Sequence, residues 1–170
     1  MKKLFTIFAL MLASSTSFMA QRFVYVDSDY ILDKIPEYQD AQKQLDAIAD
    51  EWKKEIEAEY QKIDEMYKKY QAEQYLMDEK TKSDRENDIM NKETAVKNLR
   101  KQHFGVDGDL FKKRQELVKP IQDKVYDAIK FLAENRGYDF IFDKANGGPY
   151  MLYANPKYNK SSEILKRLGY

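Results

Sequence analysis

The central part of the chain, from Pro36 to Arg136, is the feature that most limits the possible fold. It is rich in charged, helix-forming residues, carries only a sparse apolar stripe, and is interrupted once, near Leu76–Ser83. Charged residues make up 34% of the whole chain, which contains only 6 glycines and 4 prolines. A stretch with so few apolar side chains cannot enclose a core of its own. The sequence therefore predicts two long helical arms, residues 36–136, rather than an enzyme-like globule.

Residues 1–20 have the pattern of an export signal. Lysines at positions 2 and 3 precede the apolar run Leu4–Ala13, and mostly small residues follow up to Ala20. The apolar run is shorter than the roughly 20 residues that a membrane-spanning helix needs, so a membrane anchor is the weaker alternative. We interpret the segment as a signal peptide that is cleaved after Ala20, or after one of the serines at 15 and 17. The mature protein is then expected in a compartment such as the periplasm.

The chain contains no cysteine, and its charges nearly balance. Without cysteine, neither the lipid attachment of a bacterial lipoprotein nor a disulfide bond is available. Removal of the leader takes away two of the 29 basic residues, which leaves 27 against 29 acidic residues and a net charge of −2. This charge predicts only weak contact with anionic membrane surfaces, and we expect no nucleic-acid partner.

Two apolar stripes with coiled-coil spacing run along the central part. The outgoing stripe comprises Leu45, Ile48, Trp52, Ile56, Tyr60, Ile63, Tyr67, Tyr70, Gln74 and Met77. The returning stripe comprises Ile89, Val96, Leu99, His103, Val106, Leu110, Leu117, Ile121, Val125, Ala128 and Leu132. Steps of three and four residues place each set on one side of a helix, so the stripes predict an antiparallel helical hairpin. Its tip is expected at residues 76–83, where Asp78, Thr81 and Ser83 are candidate N-caps.

The returning arm contains three residues that disfavour a helix interior: Gly105, Gly108 and Pro120. Glycine costs about 1 kcal/mol there and proline about 3 kcal/mol, so we expect a break or bend. The predicted form is a non-helical link over Phe104–Gly108, with Asp109 capping the next helix, followed by a kink at Pro120. Such a site is either a hinge that lets the outer arm flex or a static bend that shapes it, and the sequence leaves both open.

Short segments at the two ends of the mature chain have the composition of strands. Arg22–Asp27, Tyr138–Asp143 and Tyr150–Tyr153 are rich in β-branched and aromatic residues, and Asn146–Pro149 has the residues of a hairpin turn. The first strand is apolar at successive positions, which predicts burial on both faces. Since a helical hairpin returns the chain to its starting point, the three strands are expected to form one small sheet.

The predicted body, residues 21–35 and 137–170, is small. Three strands and a terminal helix, Ser161–Leu168 with Ile164, Leu165 and Leu168 on one face, provide too little core for independent stability. Because neither disulfides nor a metal cluster is available, we predict a homo-oligomer that is joined at the sheet. The candidate interface residues are Phe23, Val24, Val26, Phe140 and Phe142. The fold class is therefore α+β, with a long helical hairpin rooted in a β-body that oligomerises.

This layout resembles the Skp/OmpH family of periplasmic chaperones for outer-membrane proteins. The resemblance rests on the order along the chain of a leader, Phe23–Asp27, the charged hairpin, Asn135–Asp143 and Ser161–Leu168. The most family-like pieces of the hairpin are His103–Phe111 and Gln115–Gln122. The similarity covers essentially the whole mature chain.

The resemblance implies a jellyfish-shaped trimer, in which strands of three subunits form a central body and three hairpins surround a cavity. Unfolded outer-membrane proteins would be held in this cavity without ATP and handed on to the assembly machinery. The chain departs from the family in charge, because the well-studied members are strongly basic. A non-enzymatic structural or adaptor coiled-coil protein of the cell envelope is the alternative, although the short ends leave no room for the lipoyl-like domains of efflux adaptors.

The sequence offers no constellation for catalysis. With one histidine and no cysteine, the usual zinc ligands and a thiol nucleophile are absent, and no glycine-rich loop precedes a Lys-Ser/Thr pair. Asp27, Asp29 and Asp33 lack the glycine and glutamate of a calcium loop, so capping and solvation are preferred. His103 is interpreted as a packed stripe residue. We expect neither an enzyme nor a cofactor.

Tyrosine and methionine on the outgoing arm are the candidates for client binding. An unfolded client has no fixed shape, so adaptable apolar contacts suit it best. The candidates are Tyr60, Met66, Tyr67, Tyr70 and Tyr75. The alternative is that these residues only form the seam between the two arms. We favour the seam for Ile63, Tyr67 and Tyr70, and client contact for Met66 and Tyr75, which lie one step off the stripe.

Overall fold

The computed structural model describes residues 21–145 and 151–170 and shows a long helical hairpin attached to a small body. The predicted signal peptide and the predicted turn Asn146–Pro149 lie outside the described residues. The elements in chain order are β1 (Phe23–Val26), α1 (Ser28–Asp33), α2 (Pro36–Glu73), a 3₁₀ turn (Gln74–Leu76), α3 (Glu79–Phe104), α4 (Asp109–Leu117), α5 (Lys119–Arg136), β2 (Phe140–Asp143), a second 3₁₀ turn (Pro156–Tyr158) and α6 (Ser161–Leu168). The α+β class predicted from the sequence is thus confirmed.

The outgoing arm is the 38-residue helix α2, which extends about 57 Å at 1.5 Å per residue. It starts at Pro36, where a missing backbone N–H costs nothing because the first turn of a helix has no acceptor for it. After the 3₁₀ turn, Asp78 caps α3 by accepting a hydrogen bond from the Thr81 backbone N–H at 2.7 Å. The tip comprises residues 74–78 and overlaps the predicted range 76–83 only at its beginning, because the returning helix already starts at Glu79. Asp78 is the cap among the three candidates.

A seam of apolar side chains holds the two arms together. Ile56 and Ile63 of α2 are buried against Ile89 and Val96 of α3. The half-buried side chains packed around them are Met66, Tyr70, Leu99 and Phe104. The predicted hairpin is thus confirmed, and its contacts are those of an antiparallel pair.

The assignment of the seam was wrong at three positions of the outgoing arm. Tyr60 and Tyr67, which were predicted on the stripe, are 45% and 48% exposed, whereas Met66, predicted one step off it, packs in the seam. Three-four spacing is satisfied by two different sets of residues. The first is Ile63, Tyr67 and Tyr70, and the second is Ile63, Met66 and Tyr70. The position of the facing helix selects the second set, and the tyrosine hydroxyls at 60 and 67 stay on the exposed side.

The returning arm is interrupted near Gly105, Gly108 and Pro120, as the sequence predicted, but the helix boundaries and the role of the proline differ from the prediction. Helix α3 ends at Phe104 and α4 begins at Asp109 with Gly108 as its N-cap, so Asp109 is the first helical residue and not the cap. Val106 lies in this break and is 90% exposed, so it does not belong to the stripe. The predicted kink at Pro120 is instead a boundary between α4 and α5, where the proline occupies the first turn and interrupts no hydrogen bond.

The sheet of the body consists, within the described residues, of β1 and β2 in parallel, with Phe23 opposite Phe140 and Val26 opposite Asp143. The predicted third strand was wrong in its described part, because residues 151–153 form no strand and Leu152 is 93% exposed. The other edge of β1 is taken by the segment before α6, where the Lys160 N–H donates to the Tyr25 carbonyl at 2.9 Å.

The main core lies between β1 and the helices of the body. Its buried members are Val26, Ile31, Leu32, Ile35, Val125, Ala128, Leu132, Ile164 and Leu165. The predicted terminal helix and its apolar face are confirmed, with Ile164 fully buried and Leu168 packed at the margin. A smaller cluster of Ala41, Leu45 and Val118 continues this core into the root of the arm.

Candidate functional site

The exposed aromatic residues of the arm lie outside the seam. Tyr60, Tyr67 and Tyr75 are 45%, 48% and 86% exposed, and Leu76 at the tip is 89% exposed. Helix α2 places Tyr60 and Tyr67 two turns apart, so they present their rings on the same side of the helix. The arm thus combines a closed seam with a row of apolar side chains that are open to solvent.

Tyr67 borders an open depression between the two arms, with a volume of about 310 Å³. Its walls are formed by Tyr67, Tyr70, Glu86, Ile89, Met90 and Glu93. Met90 is 56% exposed and was missed by the sequence reasoning, although it directly follows the stripe residue Ile89. A methionine beside tyrosine rings provides an adaptable apolar surface with two carboxylates at its edge.

Tyr70 has a different role from Tyr67, because its hydroxyl connects the arms. It donates a hydrogen bond to the Glu86 carboxylate of α3. This bond and the neighbouring negative charge raise the pKa of Tyr70 above its ordinary value, since the neutral phenol is the donor. Together with Met66, Tyr70 also lines a small recess of about 40 Å³ close to the tip. Met66 and Tyr70 are therefore seam residues whose edges reach open depressions.

A second apolar surface lies on one face of the sheet. Phe23, Phe140 and Phe142 are 56%, 53% and 50% exposed. The rings of Phe140 and Phe142 stack with centroids 6.4 Å apart, and Phe23 approaches Tyr158 at 6.5 Å. Three large exposed rings on a small sheet are typical of a surface that another molecule covers.

Two of the predicted interface residues lie on the wrong side of the sheet for this purpose. Val24 and Val26 are only 4% and 2% exposed, and Val26 belongs to the core of the body. Successive residues of a strand point to opposite faces, so Phe23 points to solvent where Val24 points inward. The candidate face therefore keeps the three phenylalanines and loses both valines.

Polar side chains at the end of β1 form hydrogen bonds that connect the elements of the body. The Asp27 carboxylate caps α1 by accepting from the Tyr30 N–H at 3.0 Å, and the Asp27 N–H donates to Ser161 Oγ at 2.9 Å. Asp143 accepts hydrogen bonds from both the backbone and the hydroxyl of Ser28. No group of acidic or histidine side chains in residues 21–145 and 151–170 is arranged to hold a metal ion. The expected capping role of Asp27 is confirmed.

No helix in the described part of the chain is both long enough and apolar enough to cross a membrane. The long helices α2 and α3 instead carry many charged pairs on their exposed sides, such as Lys68 with Asp64 at 2.6 Å. These surface pairs contribute little to stability individually, but they keep the outer sides of the arm hydrated.

Comparison with known proteins identifies the family. A family model described as outer membrane protein (OmpH-like) matches residues 22–168, which include both strands and the whole arm. The chain belongs to the OmpH-like family. The resemblance predicted from the order of the sequence motifs is thereby confirmed.

Individual OmpH-like relatives agree with this assignment. The chaperone protein Skp of Yersinia enterocolitica is 26% identical over 159 residues, which cover 94% of this chain and 93% of that protein. The crystal structure of an OmpH-like protein from Caulobacter crescentus CB15 superimposes with a TM-score of 0.66 at 11% identity, over 91% of this chain and 88% of the other. At this low identity the second comparison concerns the fold alone.

Proposed function

We propose that this protein is a chaperone of the periplasm that binds unfolded outer-membrane β-barrel precursors without ATP and prevents their aggregation. Membership in the OmpH-like family and the similarity to a relative named chaperone protein Skp support this proposal. The signal-peptide pattern of residues 1–20 supports the compartment. The proposed activity is binding, and no bond of the client is made or broken.

The observation that carries the proposal is the row of exposed rings on an arm whose seam is already closed. The two helices are held together by the buried residues Ile56, Ile63, Ile89 and Val96. Tyr67 and Met90, which are exposed, are therefore not required for this contact. Tyrosine and methionine can contact many different apolar side chains without a fixed geometry. An unfolded segment would lie along the depression between the arms, with Tyr60 and Tyr75 extending the contact surface.

The oligomer is the second part of the proposal. We propose that the face formed by Phe23, Phe140 and Phe142 associates with the same face of other subunits, giving a trimer. Exposed phenylalanines on a small sheet and the expectation from the family support it. Several arms around one cavity would add their weak contacts at high effective concentration, which matters when each contact is weak.

An aggregation assay tests the chaperone proposal. An outer-membrane porin is diluted from urea with about a threefold excess of the mature protein, and light scattering is followed without nucleotide. We expect suppression by the wild type. The double variant Tyr67→Ala/Met90→Ala should require roughly thirty times more protein, because two lost apolar contacts at about 1 kcal/mol each together cost about 2 kcal/mol.

Tyr126→Ala provides the matched control, because Tyr126 is a 65% exposed aromatic residue of α5 outside the depression. We expect this variant to behave like the wild type. Absence of suppression by the wild type would contradict the chaperone function. Equal loss in the control would contradict the assigned surface. A stable stoichiometric complex with a single folded partner would instead favour the adaptor function.

A further inference from the structure

The connection between α3 and α4, Gly105–Gly108, has an ordered backbone. The Gly105 N–H donates to the Lys101 carbonyl at 2.8 Å, and the Gly108 N–H donates to the Gly105 carbonyl at 2.9 Å. Gly105 and Gly108 have φ angles of −66° and −71°, which any residue adopts readily. Conformational freedom is therefore not the reason for glycine at these two positions.

The reason is the close approach of backbone atoms. A Cβ atom on Gly105 would lie 2.4 Å from the Lys101 carbonyl oxygen. A Cβ atom on Gly108 would lie within 2.7 to 2.8 Å of the Gln102 oxygen, the Gly105 nitrogen and the His103 oxygen. These obstacles are backbone atoms, which cannot move aside as a flexible side chain does. The connection is thus wound so tightly that only hydrogen fits at both positions.

His103, the last buried residue before the connection, joins it to the outgoing arm. The residue is 8% exposed, and its ring lies flat on that of Trp52 of α2, with centroids 4.3 Å apart and an angle of 8° between the planes. Phe104 contacts the edge of both rings, at 6.2 Å from Trp52 and 6.4 Å from His103. Such stacked and edge-on pairs stabilise beyond their buried area. Three rings from two helices therefore surround the point where α3 ends.

The same histidine also joins α3 to α4. His103 Nδ1 lies 3.1 Å from Asp109 Oδ2, and the Gln102 amide donates to that oxygen at 3.3 Å. Burial opposes ionisation of Asp109, but the bonds from Gln102 and His103 and the nearby Lys112 outweigh it and lower the pKa of the carboxyl. Glu55 of α2 lies 3.6 Å from the other ring nitrogen. The imidazole thus bridges α2, α3 and α4.

We propose that Gly105–Gly108 is a locked elbow, held by the His103 bridge, and not a hinge. Helices α3 and α4 then move together as one rigid unit. The bend between them sets the direction in which the hairpin extends from the body. The glycines are needed for the tight path, whereas a hinge would need them for mobility. This inference concerns the mechanics of the hairpin and stands whether or not the arm binds unfolded protein.

Hydrogen–deuterium exchange of the mature protein, read at residue level by mass spectrometry, tests the elbow. We expect the Gly105 and Gly108 amides of the wild type to exchange roughly a hundredfold more slowly than in an unstructured peptide. Gly108→Ala should accelerate their exchange about tenfold or more, because the added methyl group cannot fit. Val106→Ala, which alters a 90% exposed side chain in the same connection, is the control and should change nothing.

Two variants of His103 separate the lock from general stability. His103→Ala should accelerate exchange at 105–109 while the amides of α5 and α6 stay protected. If it unfolds the whole arm, His103→Phe keeps a ring on Trp52 and removes the polar contacts of the imidazole with Asp109 and Glu55, and it should still loosen the elbow. Rapid exchange at Gly105 and Gly108 in the wild type would overturn the proposal in favour of a hinge. Unchanged exchange in Gly108→Ala would overturn it as well.

Discussion

Two tyrosines one helical turn apart, Tyr67 and Tyr70, have different surroundings on the same arm. Tyr67 is 48% exposed at the edge of a depression, whereas Tyr70 is half-buried in the seam and hydrogen-bonded to Glu86 across the hairpin. A single residue type therefore supplies an open contact surface at one position and a link between helices at the next. The difference arises from the path of α3 and not from the tyrosines themselves.

The link to Glu86 predicts an unusual titration of Tyr70. Its pKa is raised, first by the hydrogen bond to Glu86 and then by burial and charge. The neutral phenol is favoured in the folded state, so its stabilising effect is present below the pKa of an unfolded tyrosine and is lost as pH rises through the folded value. Glu86→Gln should lower the pKa of Tyr70 toward the ordinary value, as measured by ¹³C NMR of the ring.

Glu93→Gln is the matched control for this titration. Glu93 borders the same depression, but no hydrogen bond joins it to Tyr70 among the described contacts. We expect the pKa of Tyr70 to remain raised in this variant. An ordinary pKa of Tyr70 in the wild type, or an equal change in both variants, would show that the link between the arms does not form in solution.

At the scale of elements, the arm depends on which side of α2 faces α3. Ile63 is 7% exposed in the seam, and Tyr67 one turn further is on the open side. One side of α2 therefore carries the residues that stabilise the hairpin, and the other side carries residues that are open to solvent. Substitutions on the seam should affect folding, while substitutions on the open side should affect binding.

The free energies of unfolding of two alanine variants test this difference between the two sides of α2. Ile63→Ala should lower the free energy of unfolding by about 2–5 kcal/mol, because it leaves a cavity between the arms. Tyr67→Ala should change it by no more than about 0.5 kcal/mol, as is usual for exposed side chains. Urea denaturation followed by circular dichroism gives both values. Equal losses would mean that Tyr67 also belongs to the seam.

At the scale of the whole molecule, the body is small for the arm it carries. Its core is one layer of side chains between two short strands and the helices α1, α5 and α6. Phe23, Phe140 and Phe142 remain exposed on the opposite face of the sheet. Association through this face would cover the rings and direct several arms to the same side.

Light scattering coupled to size-exclusion chromatography tests the association. The wild type should elute with the mass of an oligomer, and Phe140→Ser/Phe142→Ser should shift it toward the monomer, because the polar side chains remove the apolar contact. Tyr126→Ser changes an exposed ring of α5 and should leave the mass unchanged. A monomeric wild type would contradict both the oligomer and the shared cavity.

Local features of the sequence predicted much of this fold. Helix-forming composition, the capping aspartate at 78, the helix-breaking residues at 105, 108 and 120, and the apolar face of Ser161–Leu168 all depend on neighbours within a few residues. Each was found close to its expected position. The order of the motifs was also sufficient to predict the family, which the match over residues 22–168 confirms.

Long-range packing decided the remaining features. The sequence by itself determined that the chain forms a charged helical hairpin with strands at its root, because helix propensity, capping and turn chemistry act locally. Only the tertiary structure decided that Met66 rather than Tyr67 enters the seam, that Val24 and Val26 point inward, and that residues 151–153 form no strand. Three-four spacing permits two stripes through Ile63 and Tyr70, and the apolar strand β1 is buried on both faces at residues 24–26 but exposed at Phe23. Which residues are buried depends on the side chains that meet each element from distant parts of the chain.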